Sequence, residues 1–289
     1  MPDCSIIIVS YNTRDLLRAC LESILRERGN LSLEVLVIEN GSKDGSAEMI
    51  RQFAPDVTLI EPGQNTWFVG GNNLGIERAT GETILLLNPD TVIQPGMLQS
   101  MLAYLQEHEE VGLLTCRMLY PDGSPQQTCS QVPTYTDLLL SYTFLGALLA
   151  PWRDTRRHEM WYSDWQRDTT RPVEVAPGSC MLFPAAVIHK LNGLNPDLKL
   201  YFPEDDIALR LLAAGYETHF FADALLWHYE QSSVKQVQRL ASSIYFDDLM
   251  TFCKAHYGAI PAIVLNLLVL PTRWGMNLAQ RLRGEKAAL

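Results

Sequence analysis

The sequence predicts an α/β protein built on a mostly parallel, doubly wound sheet. Three observations carry that expectation. Over the first hundred residues, short apolar runs alternate with helical patterns, the mark of successive strand–helix–strand units. The runs Ile6–Val9, Val35–Ile38 and Ile84–Leu87 are apolar at every position, as in strands buried on both faces. Each run is followed by a polar turn: Ser10 to Asn12, Glu39 to Asp44, and Asn88 to Asp90. In open parallel sheets ligands sit at the carboxyl ends of strands, so these three turns are expected to share one crevice.

The elements follow in order. After the first strand (Ser5–Ser10), Asn12 and Thr13 supply a cap, and Leu16, Leu17, Cys20, Leu21, Ile24 and Leu25 repeat at helical spacing. Glu34–Ile38 is the second strand. Ser46 is placed to cap a helix carrying Met49, Ile50 and Phe53, and Val57–Ile60 is the third strand. Residues 65–73 are rich in Gly and Asn and read as a loop before a helix over Leu74–Ala79. Thr83–Leu87 is the fourth strand. A helix follows Pro95 as far as about His108, then a strand near Val111–Thr115. Turn formers crowd residues 117–135. Residues 138–150 are apolar, and a basic, aromatic stretch follows with Trp152, Arg153, Arg156, Arg157, Trp161 and Trp165. Strand character resumes over Val173–Phe183. Asp206–Ala214 reads as a helix, His219–Ala222 and Ala224–Trp227 as strands, and the remainder as helical with an apolar run over 259–270.

Composition limits the functional classes. The 289 residues are 47% hydrophobic and 19% charged, which excludes wholesale disorder. Acidic residues outnumber basic ones by 33 to 23, and a net charge of −10 argues against nucleic acid as the main partner. The six cysteines are scattered without a C-x-x-C pair, so buried thiols are expected rather than a zinc site or a disulfide framework. No apolar stretch reaches the roughly 18 residues of a membrane span. No basic segment precedes a cleavable apolar core at the N-terminus, so the expected location is cytoplasmic.

Four groups have chemistry to offer. Asp90 in Asn88-Pro-Asp90 lies just past a buried strand, where a carboxylate is fixed yet open to the crevice; one carboxylate plus nucleotide phosphates is a common way to hold Mg²⁺. Glu204, Asp205 and Asp206 are adjacent at a helix start. The helix dipole favours acid there, but mutual repulsion of three carboxylates raises at least one pKa, which suits a general base. His228 follows an apolar strand and offers an imidazole, a frequent metal ligand. The glycines of Phe68–Gly75 let backbone approach a ligand closely. That segment is not the dinucleotide fingerprint, and the chain has no Walker lysine motif.

The order of these segments resembles the family 2 glycosyltransferases, and within them the rhamnosyltransferase-like branch. Ser5–Thr13, Val37–Ser46, Gly70–Gly75 and Gly81–Thr91 resemble its nucleotide-sugar half. Ala176–Phe183, Tyr201–Arg210 and Trp227–Ser233 resemble its acceptor and catalytic half. The resemblance covers about residues 4–235. It implies a glycosyltransferase A-type fold with a nucleotide-sugar half at 1–115, an acceptor half at 116–235 and a helical extension at 236–289. It further implies inverting transfer from a nucleoside-diphosphate sugar. Ser10, Tyr11, Asn12 and Glu39 fall where the family holds nucleobase and ribose, Asn72 and Asn73 beside the nucleotide or its sugar, and Asn88 and Asp90 in the D-x-D slot. Asp90 and His228 are then the implied ligands of Mg²⁺ or Mn²⁺. Glu204 or Asp205 is the implied base: counting back from Arg210 selects Glu204, and matching the letters selects Asp205. Glu39 stands where Asp is usual, and Asn88 removes one charge from the D-x-D slot. A deoxythymidine-diphosphate rhamnose donor fits the resemblance, followed by uridine-diphosphate hexoses.

The expected acceptor is a glycan or polyprenyl-linked hydroxyl in cell-surface polysaccharide synthesis. The apolar runs 138–150 and 259–270 are flanked by Arg153, Arg156 and Arg157 and by Arg273, Arg281, Arg283 and Lys286. They suit either peripheral contact with an anionic membrane face or burial in the core or a homodimer interface. A non-catalytic sugar-nucleotide binder is disfavoured by the acidic cluster. A nucleotidyltransferase is disfavoured because Tyr11–Asp15 lacks the glycines that such a loop needs.

Overall fold

The computed structural model describes residues 1–230 and 238–282, with side chains described for 1–230 and 243–275. Ser232 and Ser233, the side chain of Arg281, Arg283, Lys286 and the expected boundary at 235 lie outside the described residues. The first half runs β1 (Cys4–Ser10), α1 (Arg14–Arg26), β2 (Leu33–Glu39), α2 (Ser46–Arg51), β3 (Val57–Ile60), α3 (Trp67–Ile76), β4 (Thr83–Leu87), β5 (Thr91–Ile93), α4 (Met97–Glu107) and β6 (Val111–Leu119). The second runs α5 (Tyr135–Tyr142), α6 (Leu145–Leu148), α7 (Ala150–Met160), β7 (Arg171–Val173), β8 (Cys180–Pro184), α8 (Ala185–Lys190), α9 (Pro203–Ala213), β9 (Glu217–His228), α10 (Gln238–Tyr257) and α11 (Ala259–Leu282).

One sheet passes through both halves in the order β3-β2-β1-β4-β8-β6-β9-β5, with β7 paired to β9. β3, β2, β1 and β4 are parallel. The direction reverses at β4–β8. The continuous apolar strands follow from two covered faces: Ile6 and Ile8 of β1 join the core formed with α1, α2 and α4, while Ile7 joins the core formed with α3, α8, α9, α10 and α11. All six cysteines are buried free thiols.

Several local expectations are corrected. The Gly- and Asn-rich segment 65–73 is not a loop: most of it is the helix α3, which starts at Trp67. Its glycines admit sheet rather than ligand. A Cβ on Gly71 would come 2.8 Å from Val9 Cγ1, and one on Gly75 would collide with Ile7. Thr13 does not cap α1 with its side chain, and Ser46 is the first residue of α2 rather than its cap. Asp44 serves both starts. One oxygen accepts the Arg14 N–H at 2.9 Å, and the other accepts the Ser46 N–H and hydroxyl at 3.0 and 2.6 Å. The apolar run 138–150 is broken at Thr143, whose extended backbone ends α5. The two strands expected near 219–227 are one strand, β9, with an irregular register against β6. The strand expected over Val173–Phe183 is divided into β7 and β8. β5 was not legible, because three residues are too short to show a period.

Replacing Gly75 with Val tests the α3–sheet contact. Its side chain overpacks Ile7 and Ile38, so the variant should lose about 1–3 kcal/mol, read as a lower urea midpoint with unchanged slope. Unaltered stability would show that α3 has room to move.

Candidate active site

The carboxyl ends of β2, β1 and β4 are neighbours in the sheet, and their turns are tied together. Asn12, held at φ 51°, donates its N–H to Ser42 Oγ at 2.8 Å and accepts the Lys43 N–H on its side-chain oxygen at 2.8 Å. Glu39 is buried and accepts the N–H groups of Gly41 and Ser42 at 3.1 and 2.7 Å, which shapes the turn after β2. The buried Ser10 hydroxyl pairs with Thr13. Tyr11 lies between them, half-buried. Asn40, which the sequence did not single out, accepts the Thr66 N–H and hydroxyl and so locks the start of α3. Asn72 donates to the Phe68 carbonyl one turn back. Asn73 spends both ends of its amide on the backbone of Leu194, so it staples α3 to the segment before α9.

Beyond the end of β4, two groups of acidic residues adjoin one cavity. Asn88 donates its N–H to the Ser179 carbonyl at 3.0 Å, joining the end of β4 to the turn before β8. Asp90 is buried, and its carbonyl accepts the Tyr229 N–H. Thr91 is opposite His228 in the β5–β9 pair, and His228 Nε2 lies 3.5 Å from Asp90 Oδ1.

The buried Gln126 sets the imidazole. Its Nε2 donates to the His228 carbonyl at 2.7 Å, so its oxygen is the atom 2.9 Å from Nδ1 and accepts the hydrogen bond of the Nδ1–H. In the neutral ring, Nε2 then presents a lone pair towards the Asp90 carboxylate, a pair of donors suited to a cation. No group of three or more His, Cys, Asp or Glu suited to a metal occurs among the described residues. Two protein ligands would suit an ion that completes its shell with phosphate oxygens and water. Gln126 was hidden because it sits in a turn-rich stretch without periodicity.

A cavity of about 430 Å³ adjoins this pair; Gln126, Gly178, Ser179, Glu204, Asp205 and His228 are among its lining residues. The three consecutive carboxylates of α9 are in three different states. Asp206 is buried and would be pushed up by burial, but bonds from His256 (2.8 Å), Arg210 (2.7 Å) and Asn195 (3.1 Å) hold it below its ordinary value. Burial pushes Glu204 up to about 7, against a backbone hydrogen bond from Gly178. Burial, and then the neighbouring Glu204, push Asp205 up to about 8. The Glu204 carboxylate lies over Gly178 in the space that a Cβ there would occupy.

Residues 5–191 match the sequence profile described as Glycosyl transferase family 2, and the chain belongs to that family. It is 26% identical over 238 residues to the O-antigen biosynthesis protein RfbC of Myxococcus xanthus, covering 80% of this chain and 18% of that one. It is 27% identical to the low-salt glycan biosynthesis hexosyltransferase Agl10 of Haloferax volcanii, covering 73% and 62%. It is 25% identical to the N-acetylglucosaminyl-diphospho-decaprenol L-rhamnosyltransferase of Mycobacterium tuberculosis, covering 70% and 68%. The chain thus spans less than two thirds of the length of RfbC and Agl10. Among solved structures, the fold matches the Pyrobaculum calidifontis mannosyltransferase PcManGT, in complex with GDP-Man and Mn²⁺, at a TM-score of 0.58 and 17% identity, covering 99% of this chain and 76% of that one. It also matches Staphylococcus aureus TarS 1–349 in complex with UDP-GlcNAc, at 0.54 and 13%, covering 84% and 66%. The glycosyltransferase A-type fold expected from the sequence is the fold observed.

The raised carboxyls have a consequence for stability. The folded chain keeps their protons at pH values where the unfolded chain has lost them, so stability falls as pH rises from the ordinary carboxyl range through about 7 and 8. Glu204→Gln removes one such group. Relative to the unaltered chain it should gain on the order of 2–3 kcal/mol at pH 8 and little at pH 4, measured by denaturant unfolding at both pH values. An equal difference at the two would exclude a raised Glu204.

Proposed function

We propose that this chain is an inverting, metal-dependent glycosyltransferase that moves a sugar from a nucleoside-diphosphate donor to a hydroxyl of a glycan or lipid-linked acceptor in cell-surface polysaccharide synthesis. The observation that carries the reading is a shared cavity: His228, which pairs with Asp90, and the protonatable Glu204 and Asp205 all line it. Residues 1–115 supply the donor half and 116–235 the acceptor half. Ser10, Tyr11, Asn12 and Glu39 form the cleft for nucleobase and ribose. Asn88 and the α3 residues Asn72 and Asn73 border the nucleotide and its sugar, the last two through the turn geometry they enforce. Rhamnose is the proposed sugar, supported by the likeness to a relative named for rhamnosyl transfer.

Asp90 and His228, with Gln126 behind the imidazole, would hold Mg²⁺ or Mn²⁺, which supplies charge compensation for a departing diphosphate. The acceptor oxygen attacks the anomeric carbon, the bond from that carbon to the diphosphate oxygen breaks, and the acceptor proton passes to a carboxylate. Attack opposite the leaving group inverts the centre. Glu204 is the proposed base. Asp206 pairs with Arg210 one turn on, which fixes the register of α9, and Glu204 lies against Gly178 beside the Asn88–Ser179 link. Asp205 follows it in the same turn and lines the same cavity. A pKa near neutrality matches the task, since it leaves a carboxylate strong enough to take a hydroxyl proton.

Asp90→Ala and Glu204→Gln should each lower turnover by about 10²–10⁴-fold while the melting curve stays cooperative. Gln126→Leu should lower it by about 10–100-fold, by freeing the imidazole. Transfer from sugar nucleotides with Mn²⁺ is the assay, and near-normal rates in both Asp90→Ala and Glu204→Gln would refute the assignment.

Peripheral membrane contact is proposed for α11. Ile260, Ile263, Leu267, Leu270 and Trp274 are exposed at alternate spacings of three and four, one face of the helix. Ala262, Leu265 and Val269 on the other face are buried. Among the described residues no helix is long and apolar enough to cross a membrane. Ile263→Glu with Leu267→Glu should abolish flotation with anionic vesicles at low salt. A chain that fails to float unaltered, and is dimeric by light scattering, would assign the face to a homodimer.

A further inference from the structure

The basic, aromatic segment after α6 has no part in the chemistry above, yet it borders the cavity. Trp161, at the end of α7, lines the catalytic cavity and also an adjoining open hollow with Asp154, Arg157, His158 and Ser163; Gln127 borders both. The residue is 37% exposed. Its placement is nevertheless rigid. Arg167 is buried, and its guanidinium donates to the carbonyls of Trp161 (2.6 Å), Tyr162 (2.8 Å), Trp165 (2.5 Å) and Thr128 (3.0 Å). It also lies over the Trp165 ring at 4.8 Å. Farther back, Arg156 grips the buried Asp137 of α5 with two nitrogens at 3.2 and 3.1 Å, which fixes α7. A buried cation is costly unless its donors are satisfied, and here that cost is offset by organising the wall beneath one exposed indole.

Around Trp161 the cavity mixes amide and hydroxyl side chains with apolar ones such as Met160 and Val175. Gln127, Gln131 and Ser130 line the same wall, and their side chains have no hydrogen-bond partner among the described residues. A sugar ring has a face of C–H bonds and an edge of hydroxyls. A flat aromatic surface with unspent amides beside it is complementary to both.

We propose that Trp161 is the stacking platform of an acceptor subsite for a pyranose, with Gln127 and Gln131 taking its hydroxyls, so that a glycan runs from the hollow at Arg157 past Trp161 to Glu204. The proposal rests on the glycosyltransferase reading and adds to it the location and chemical class of the acceptor. Trp161 acts by binding and takes no part in proton transfer.

The test uses the full chain labelled with ¹⁵N-tryptophan, whose six indoles give separable signals, with Trp161 assigned from the Trp161→Phe spectrum. Methyl glycosides of rhamnose, N-acetylglucosamine, galactose and mannose are the probes. The expected result is a selective shift of the Trp161 signal with at least one probe. Trp161→Ala should weaken that probe about tenfold or more and Trp161→Phe by no more than about threefold, while uridine diphosphate and deoxythymidine diphosphate with Mn²⁺ bind as before. Gln131→Ala, which leaves the wall intact, should also weaken the probe. No Trp161 shift with any probe, or equal binding by Trp161→Ala, would overturn the subsite. Failure of the unaltered chain to bind either nucleotide would instead count against the glycosyltransferase reading, and it is measured separately.

Discussion

The seam between β4 and β8 is the constraint on which the site depends. On one side of it the strands are parallel and their carboxyl ends collect polar turns. On the other the direction reverses. A purely parallel sheet would place the turn before β8 at the opposite edge from Asn88. The reversal brings the start of β8 beside the end of β4, so that the Asn88 N–H finds the Ser179 carbonyl and Gly178 lies under Glu204. β5 and β9 make a second antiparallel pairing with the same effect, bringing His228 to Asp90. Both junctions are made by main-chain hydrogen bonds, so the sheet itself positions the turns at Asn88 and Ser179 and the end of β9.

The start of α9 shows how adjacent like charges are given different work. Three carboxylates at a helix N-terminus all gain from the dipole, but by tenths to about 1 kcal/mol, too little to explain their divergence. Partners decide it. Asp206 has Arg210, His256 and Asn195 and remains a carboxylate. Its pairing anchors the helix to α10 and to the loop before it. Glu204 and Asp205 have burial without a cation, and their protons are retained towards neutral pH. The structural acid thereby supports the two that are free to exchange a proton.

What the sequence reveals divides along physical lines. The strand ends were legible, because a continuous apolar run followed by a polar turn is a local signal whose topological consequence is general. Asp90, Glu204, Asp205 and His228 were legible for the same reason: each follows or begins an element with a clear period. The error at residues 65–73 came from composition. Glycine and asparagine weaken a helix by only about 1 kcal/mol or less per residue, and a close approach to Val9, Ile7 and Ile38 can outweigh that, a tertiary gain invisible in a local window. The roles of Gln126 and Asn40, and that of Asp44 towards α1, depend on backbone groups 26 to 102 positions away. No spacing within the sequence encodes such partners. Asn73 was found for its neighbourhood, but it works on Leu194.

The backbone at Phe202 completes the argument. An aromatic residue at φ 65° is in a region that side chains rarely adopt, and a conformation of this kind costs of order 1–3 kcal/mol unless its surroundings enforce it. They do: the Phe202 ring stacks on Phe252 at 5.4 Å and meets Tyr245 at 5.5 Å and Tyr142 at 6.3 Å. Phe252 and Tyr245 belong to α10, so the helix anchored by Asp206 through His256 is the same one that holds the strained residue. Pro203 then starts α9 at once, so Glu204 falls in its first turn at the cavity wall. The packing of α10 against the residue that starts α9 thus sets where Glu204 meets the cavity.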